Sequence, residues 1–128
     1  MTTSFMNTLV FFLVALAAVV SAVPVLFLRD VFVPPVTYPH AGTVWKIGQR
    51  HNVTWDTAGA PVNITNKIGR IVLAKGGIED IDNPIASNFS ILLGRIEVTV
   101  PNVTPDSDYA VVLFGDSGNF SPTFTIEN

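Results

Sequence analysis

The chain has 128 residues, 10 Asp and Glu against 7 Lys and Arg for a formal net charge of −3, and no cysteine. Mild acidity argues against nucleic acid or an anionic membrane surface as partner, since both need a basic face. The lack of thiols excludes disulfide scaffolds, zinc–thiolate sites and cysteine nucleophiles together, so stability has to come from packing.

The first element in chain order is a secretory leader. Met1 to Asn7 carries no Lys or Arg, Leu9 to Val20 is apolar without interruption, and Val20-Ser21-Ala22 ends in small residues. The expectation is a signal peptide over 1–22, cleaved after Ala22, and one domain over 23–128 with no membrane partner after cleavage. The competing reading is an uncleaved anchor that extends the run through Val25 to Leu28.

Beyond the leader, short β-branched and aromatic runs recur between Gly, Pro, Asn and Asp clusters, and no segment keeps a helical period. Strands are expected at Phe27 to Val33, Thr43 to Ile47, Asn52 to Asp56, Ile68 to Ala74, Phe89 to Leu93, Arg95 to Val100, Tyr109 to Leu113 and Thr123 to Ile126. Alternation gives them sides. Val53 and Trp55 face one way and Asn52 and Thr54 the other; Val98 and Val100 are on the apolar side of their strand, opposite Arg95, Glu97 and Thr99. Gly76-Gly77 to Ser87 reads as the longest loop, made acidic by Glu79, Asp80 and Asp82, and Gly115 to Gly118 as a hairpin turn. Six to eight short strands in one domain predict an all-β, two-sheet antiparallel sandwich, with Trp55, Val53, Val98, Val100, Tyr109, Phe124 and Ile126 in its core.

Candidate chemistry is sparse. The stretch Thr37 to Trp55 holds both histidines, His40 and His51, and both tryptophans. Two histidines without a third ligand rarely hold a metal, and no metal or cofactor is expected. Neither Glu79-Asp80-Ile81-Asp82 nor Asp106-Ser107-Asp108 has the apolar surroundings that would raise a carboxyl pKa for glycoside hydrolysis, so no catalytic residue is expected. Stacking on a sugar ring requires an exposed aromatic, for which Trp45, Tyr38 and Phe120 are the candidates; for Trp45, packing is the stronger alternative. Five Asn-x-Ser/Thr sequons, at Asn52, Asn63, Asn88, Asn102 and Asn119, are N-glycosylation candidates behind the leader. Asn119 is the poorest, because Pro122 follows its Ser121.

The order of Pro39 to Gly42, Val44-Trp45, Gly48, Val53-Thr54-Trp55, Ile71-Val72-Leu73, Val98 to Pro101, Asp108-Tyr109 and Ser121 to Ile126 resembles the N-terminal domain of fungal yeast-cell-wall-synthesis proteins. That domain is shared with Ser/Thr-rich glycosylphosphatidylinositol-anchored membrane proteins, and the resemblance covers 38–126. It implies an Ig-like or fibronectin-type sandwich in secreted or wall-bound proteins linked to β-1,6-glucan assembly, and it brings no catalytic residues. Larger relatives continue into a Ser/Thr-rich stalk and lipid-anchor signal; this chain stops two residues after Ile126, so no lipid anchor is expected. The resulting expectation is a secreted, wall-associated, non-enzymatic module with β-glucan as partner. The alternatives are a carbohydrate-active enzyme or enzyme accessory, and a secreted interaction protein.

Overall fold

A computed structural model describes residues 31–128; the leader and the first half of the strand expected at Phe27 to Val33 lie outside them. Ten strands follow one another: β1 (Val36–Tyr38), β2 (Val44–Lys46), β3 (Arg50–Trp55), β4 (Ile68–Lys75), β5 (Ile78–Glu79), β6 (Ala86–Ser90), β7 (Arg95–Thr99), β8 (Asp106–Phe114), β9 (Gly118–Phe120) and β10 (Phe124–Glu127). One sheet has the order β1-β3-β7, the other β2-β10-β8-β4-β5, with β6 also on β4 and β9 also on β8. Adjacent strands are antiparallel except β2, which runs parallel to β10.

Reading β1, β3, β4, β7, β8 and β10 as A, B, C, E, F and G gives sheets A-B-E and G-F-C, the order of an immunoglobulin- or fibronectin-type sandwich. β6 lies beside β4 as the extra strand on that edge. A second mark of this architecture is a tyrosine corner: Tyr109, near the start of β8, donates its hydroxyl to the Thr104 carbonyl five residues upstream. The fold is therefore an all-β, Ig-like sandwich.

The core lies between the sheets and includes all seven residues assigned to it from the sequence. Val53, Trp55, Val98 and Val100 from one side meet Tyr109, Phe124 and Ile126, together with Ile71, Leu73, Val111 and Leu113, from the other. Polar groups carried inside are paired. The Trp55 indole donates to the Ile91 carbonyl at 2.7 Å, and among the described residues no buried side-chain nitrogen or oxygen lacks a partner.

Three expectations require correction. Ile91 to Leu93, expected to continue a strand, form a single 3-10 turn: Ser90 caps it through its hydroxyl and Gly94 ends it at φ 78°. The supposed loop from Gly76 begins with a two-residue hairpin, because Lys75 pairs with Ile78 and both glycines have positive φ, 58° and 81°. That is the geometry of a type I′ turn, which Gly-Gly adopts without strain. The rest of the acidic segment binds the edge of β4, with Asp80 N donating to Leu73 O and Ile85 N to Ile71 O, both at 2.8 Å. Finally, residues 31–33 form no strand. The expected Gly115–Gly118 hairpin is present and links β8 to β9, while β10 takes over the same edge of β8 further along.

Candidate functional site

The histidine- and tryptophan-bearing stretch is a scaffold cluster at one end of the sandwich. In β2, Val44 and Lys46 point outward and Trp45 inward, so alternation buries the indole completely. His51 shares the inward side of β3 with Val53 and Trp55 and lies 4.9 Å from Trp45, ring on ring with planes 12° apart. Phe124 closes the opposite side at 4.6 Å. The expectation that Trp45 could offer a stacking platform is corrected: neither ring face reaches solvent.

The polar atoms of the cluster form one chain. Trp45 Nε1 donates to the Tyr38 hydroxyl at 3.2 Å. That hydroxyl can give its own proton to His51 Nδ1, 3.1 Å away. The imidazole then carries its proton on Nε2 and donates it to Gln49 Oε1 at 3.0 Å. Burial holds His51 below the usual histidine pKa. His40 turns back on its own loop, bonding Ala41 O at 3.0 Å. Among the described residues no three His, Cys, Asp or Glu side chains converge to hold a metal ion.

Tyr38 is half-buried with its hydroxyl engaged in this chain, which leaves little of its ring for a ligand. Phe120 is 45% exposed but lies on β9, in the other sheet from Tyr38. The three aromatics proposed for stacking do not form a common surface.

The carboxylates of Asp106 and Asp108 meet the amine of Lys75 instead of a substrate. Lys75 Nζ lies 2.9 Å from Asp106 Oδ2 and 2.9 Å from Asp108 Oδ1, over the Tyr109 ring. Hydrogen bonds that the Lys75 ammonium donates to Asp108 and then to Asp106 raise its pKa. The Lys75 bond, followed by the Ser107 backbone N–H, lowers that of Asp106. These shifts keep the amine protonated and the carboxylate ionised, the opposite of what an amine nucleophile or a general acid requires.

What sequence reading missed is a groove. The β4–β5 hairpin and the corner after β7 enclose a cleft of about 420 Å³, within the size range of small-ligand sites, ~300–1,000 Å³. Ile78, Ile85, Pro101 and Val103 give it apolar surface. Lys75, Asp80, Asn83, Asn102 and Thr104 bring donors and acceptors to it. Ile78 is 78% exposed, so much apolar area there faces water. The two walls come from segments some 25 residues apart, and only the pairing of β4 with β8 brings them together. A partial signal was present in the Gly76-Gly77 dipeptide, which marks a hairpin tip.

The sequons fall in different settings. Asn52, Asn63, Asn88 and Asn102 are exposed. Asn119 is half-buried and its amide donates to Pro34 O at 2.8 Å, so the atom that would carry a glycan is already engaged.

Comparison with known protein families and with curated proteins finds no match. Among solved structures the chain is similar to the fibronectin(III)-like modules of Clostridium thermocellum CbhA, with 16% identity and a TM-score of 0.38 over 73% of this chain and 92% of that one.

Proposed function

We propose that this chain is a secreted, non-catalytic Ig-like module of a fungal cell wall, and that it holds a short segment of wall β-glucan in the groove between the β4–β5 hairpin and the Pro101–Thr104 corner. The observation that carries this reading is the composition of the groove. A pyranose ring presents C–H groups on its faces and hydroxyls around its rim; Ile78, Ile85 and Val103 suit the former, and Asp80, Asn83 and Lys75 the latter. With the aromatic platform gone, this is the described surface best suited to a sugar.

Such a seat buries little area against the cost of immobilising a ligand, so affinity should lie between about millimolar and micromolar, roughly −4 to −8 kcal/mol. Calorimetry of the unglycosylated chain with soluble β-1,3- and β-1,6-glucan fragments tests this. The expected result is weak heat with one of them, abolished by Ile78→Asp and by Asn83→Ala. No heat with either glucan removes the binding reading, and released oligosaccharides after long incubation overturn the non-catalytic one.

A further inference from the structure

One sequon lies on the wall of this groove. Asn102 and Thr104 are exposed, both contribute to the lining, and Val103 between them packs inward against the core. The segment is held at both ends. Val100 before it is buried and exchanges backbone hydrogen bonds with the β2–β3 turn, Gly48 N to Val100 O at 3.0 Å and Val100 N to Gln49 O at 2.8 Å. Thr104 after it is fixed through its carbonyl by the Tyr109 hydroxyl. The acceptor amide is thus anchored at the groove mouth. None of the other four sequon asparagines lines the groove.

We propose that an N-glycan on Asn102 lies in this groove, so that glycosylation at that one sequon decides whether the groove is open to another sugar. A glycan attached at the wall has two places to go, water or groove. Facing it are the exposed Ile78 and the half-buried Ile85, apolar surfaces for a sugar-ring face, with Asp80 and Asn83 placed to bond hydroxyl or acetamido groups. Tethering supplies the rest. A short flexible link gives an effective concentration of about millimolar, roughly ten times a Kd of about 0.1 mM, which lies within the affinity range expected above, so the attached sugar fills the seat about nine-tenths of the time. An exogenous glucan then meets a groove already filled. The seating stands on the groove and the sequon alone; the gating of glucan rests on the function proposed above.

The full chain is expressed through a eukaryotic secretory pathway as wild type and Ile78→Ser, and wild type is also made in a host that adds no N-glycan. Glycopeptide mapping should find Asn102 occupied. Removal of its glycan from the native protein by an endoglycosidase should be slower than from Ile78→Ser by about ten-fold, the factor that roughly 1.4 kcal/mol of seating free energy produces. Calorimetry should show glucan binding by the unglycosylated wild type and binding about ten-fold weaker by the glycosylated wild type. An unmodified Asn102, or equal removal rates in wild type and Ile78→Ser, overturns the seating. Equal glucan binding by wild type with an occupied Asn102 and by the unglycosylated wild type overturns the gating. If the unglycosylated chain binds no glucan, the function proposed above fails while the endoglycosidase rates still decide the seating.

Discussion

At the residue scale, the two tryptophans show how far sequence patterning reaches. Trp55 was legible because the alternation from Asn52 put it with Val53, opposite Asn52 and Thr54. Trp45 stands in a three-residue strand before a turn, where alternation gives only Val44-out, Trp45-in, Lys46-out, a pattern too short to settle burial unaided. Its burial became decided when β2 found β10 as a parallel partner and Phe124 came against the indole. Both indoles now occupy equivalent core roles, so Trp45→Ala and Trp55→Ala should each cost about 3–5 kcal/mol. Urea midpoints of the two variants check this; an unchanged midpoint for Trp45→Ala would return the residue to the surface.

His51 adds a pH dependence at the same scale. Because burial lowers its folded pKa below the unfolded value of about 6.5, the unfolded chain binds more protons in the interval between the two, and stability rises with pH there. The contribution is fully present above about pH 6.5 and is lost as pH falls through the lowered folded value. Tyr38 and Trp45 face this ring, with Gln49 on Nε2, and His40 lies 5.5 Å from Tyr38. His51→Gln should therefore flatten the pH dependence of denaturant stability below about pH 6.5 relative to wild type. Identical slopes for the two proteins would show that the imidazole gains its proton as easily folded as unfolded.

At the element scale, the long strands were legible, as were the shorter β2 and β10, while β1, β5 and β9 were not. β3, β4, β7 and β8 carry enough alternation or continuous apolar sequence to declare themselves, and their bounds fall close to those expected. β1, β5 and β9 have three, two and three residues, and exist because a longer neighbour offers an edge. The groove followed the same division: its hairpin tip was hidden in what read as an acidic loop. That tip is testable. Gly77 has φ 81°, so Gly77→Ala forces an L-residue into the left-handed region, at about 1–2 kcal/mol, although nothing crowds its Cβ position. Gly69 on β4 is the converse case. Its backbone is ordinary, but an added Cβ would lie 2.2 Å from the Phe89 ring, so Gly69→Ala should destabilise through overpacking by about 1–3 kcal/mol. Chemical denaturation of both variants checks the two costs, and glucan calorimetry on Gly77→Ala reports whether the hairpin still forms its wall.

At the scale of the whole molecule, the class of fold was legible from strand spacing, while the strand order was not, because partners such as β4 and β8 or β2 and β10 are far apart in the chain and no local signal names them. What ties the order together without a disulfide is packing plus a few connections across the ends. The tyrosine corner is one of these. Tyr109 belongs to the larger sheet, yet its hydroxyl holds Thr104, the segment through which the chain leaves β7 of the smaller sheet. Tyr109→Phe keeps the ring in the core and deletes only the donor, leaving the Thr104 carbonyl without it at a cost of about 1–3 kcal/mol. Since this bond joins the two sheets, its loss should lower the stability of the molecule as a unit. The two indoles can report on that, because Trp55 belongs to the smaller sheet and Trp45 to the larger. In single-tryptophan backgrounds made by Trp45→Phe or Trp55→Phe, each should unfold in one transition coincident with that seen by circular dichroism, and Tyr109→Phe should shift the midpoint in both backgrounds by the same free energy. A shift confined to one background would mean that the sheets unfold separately and that the corner serves only its own strand.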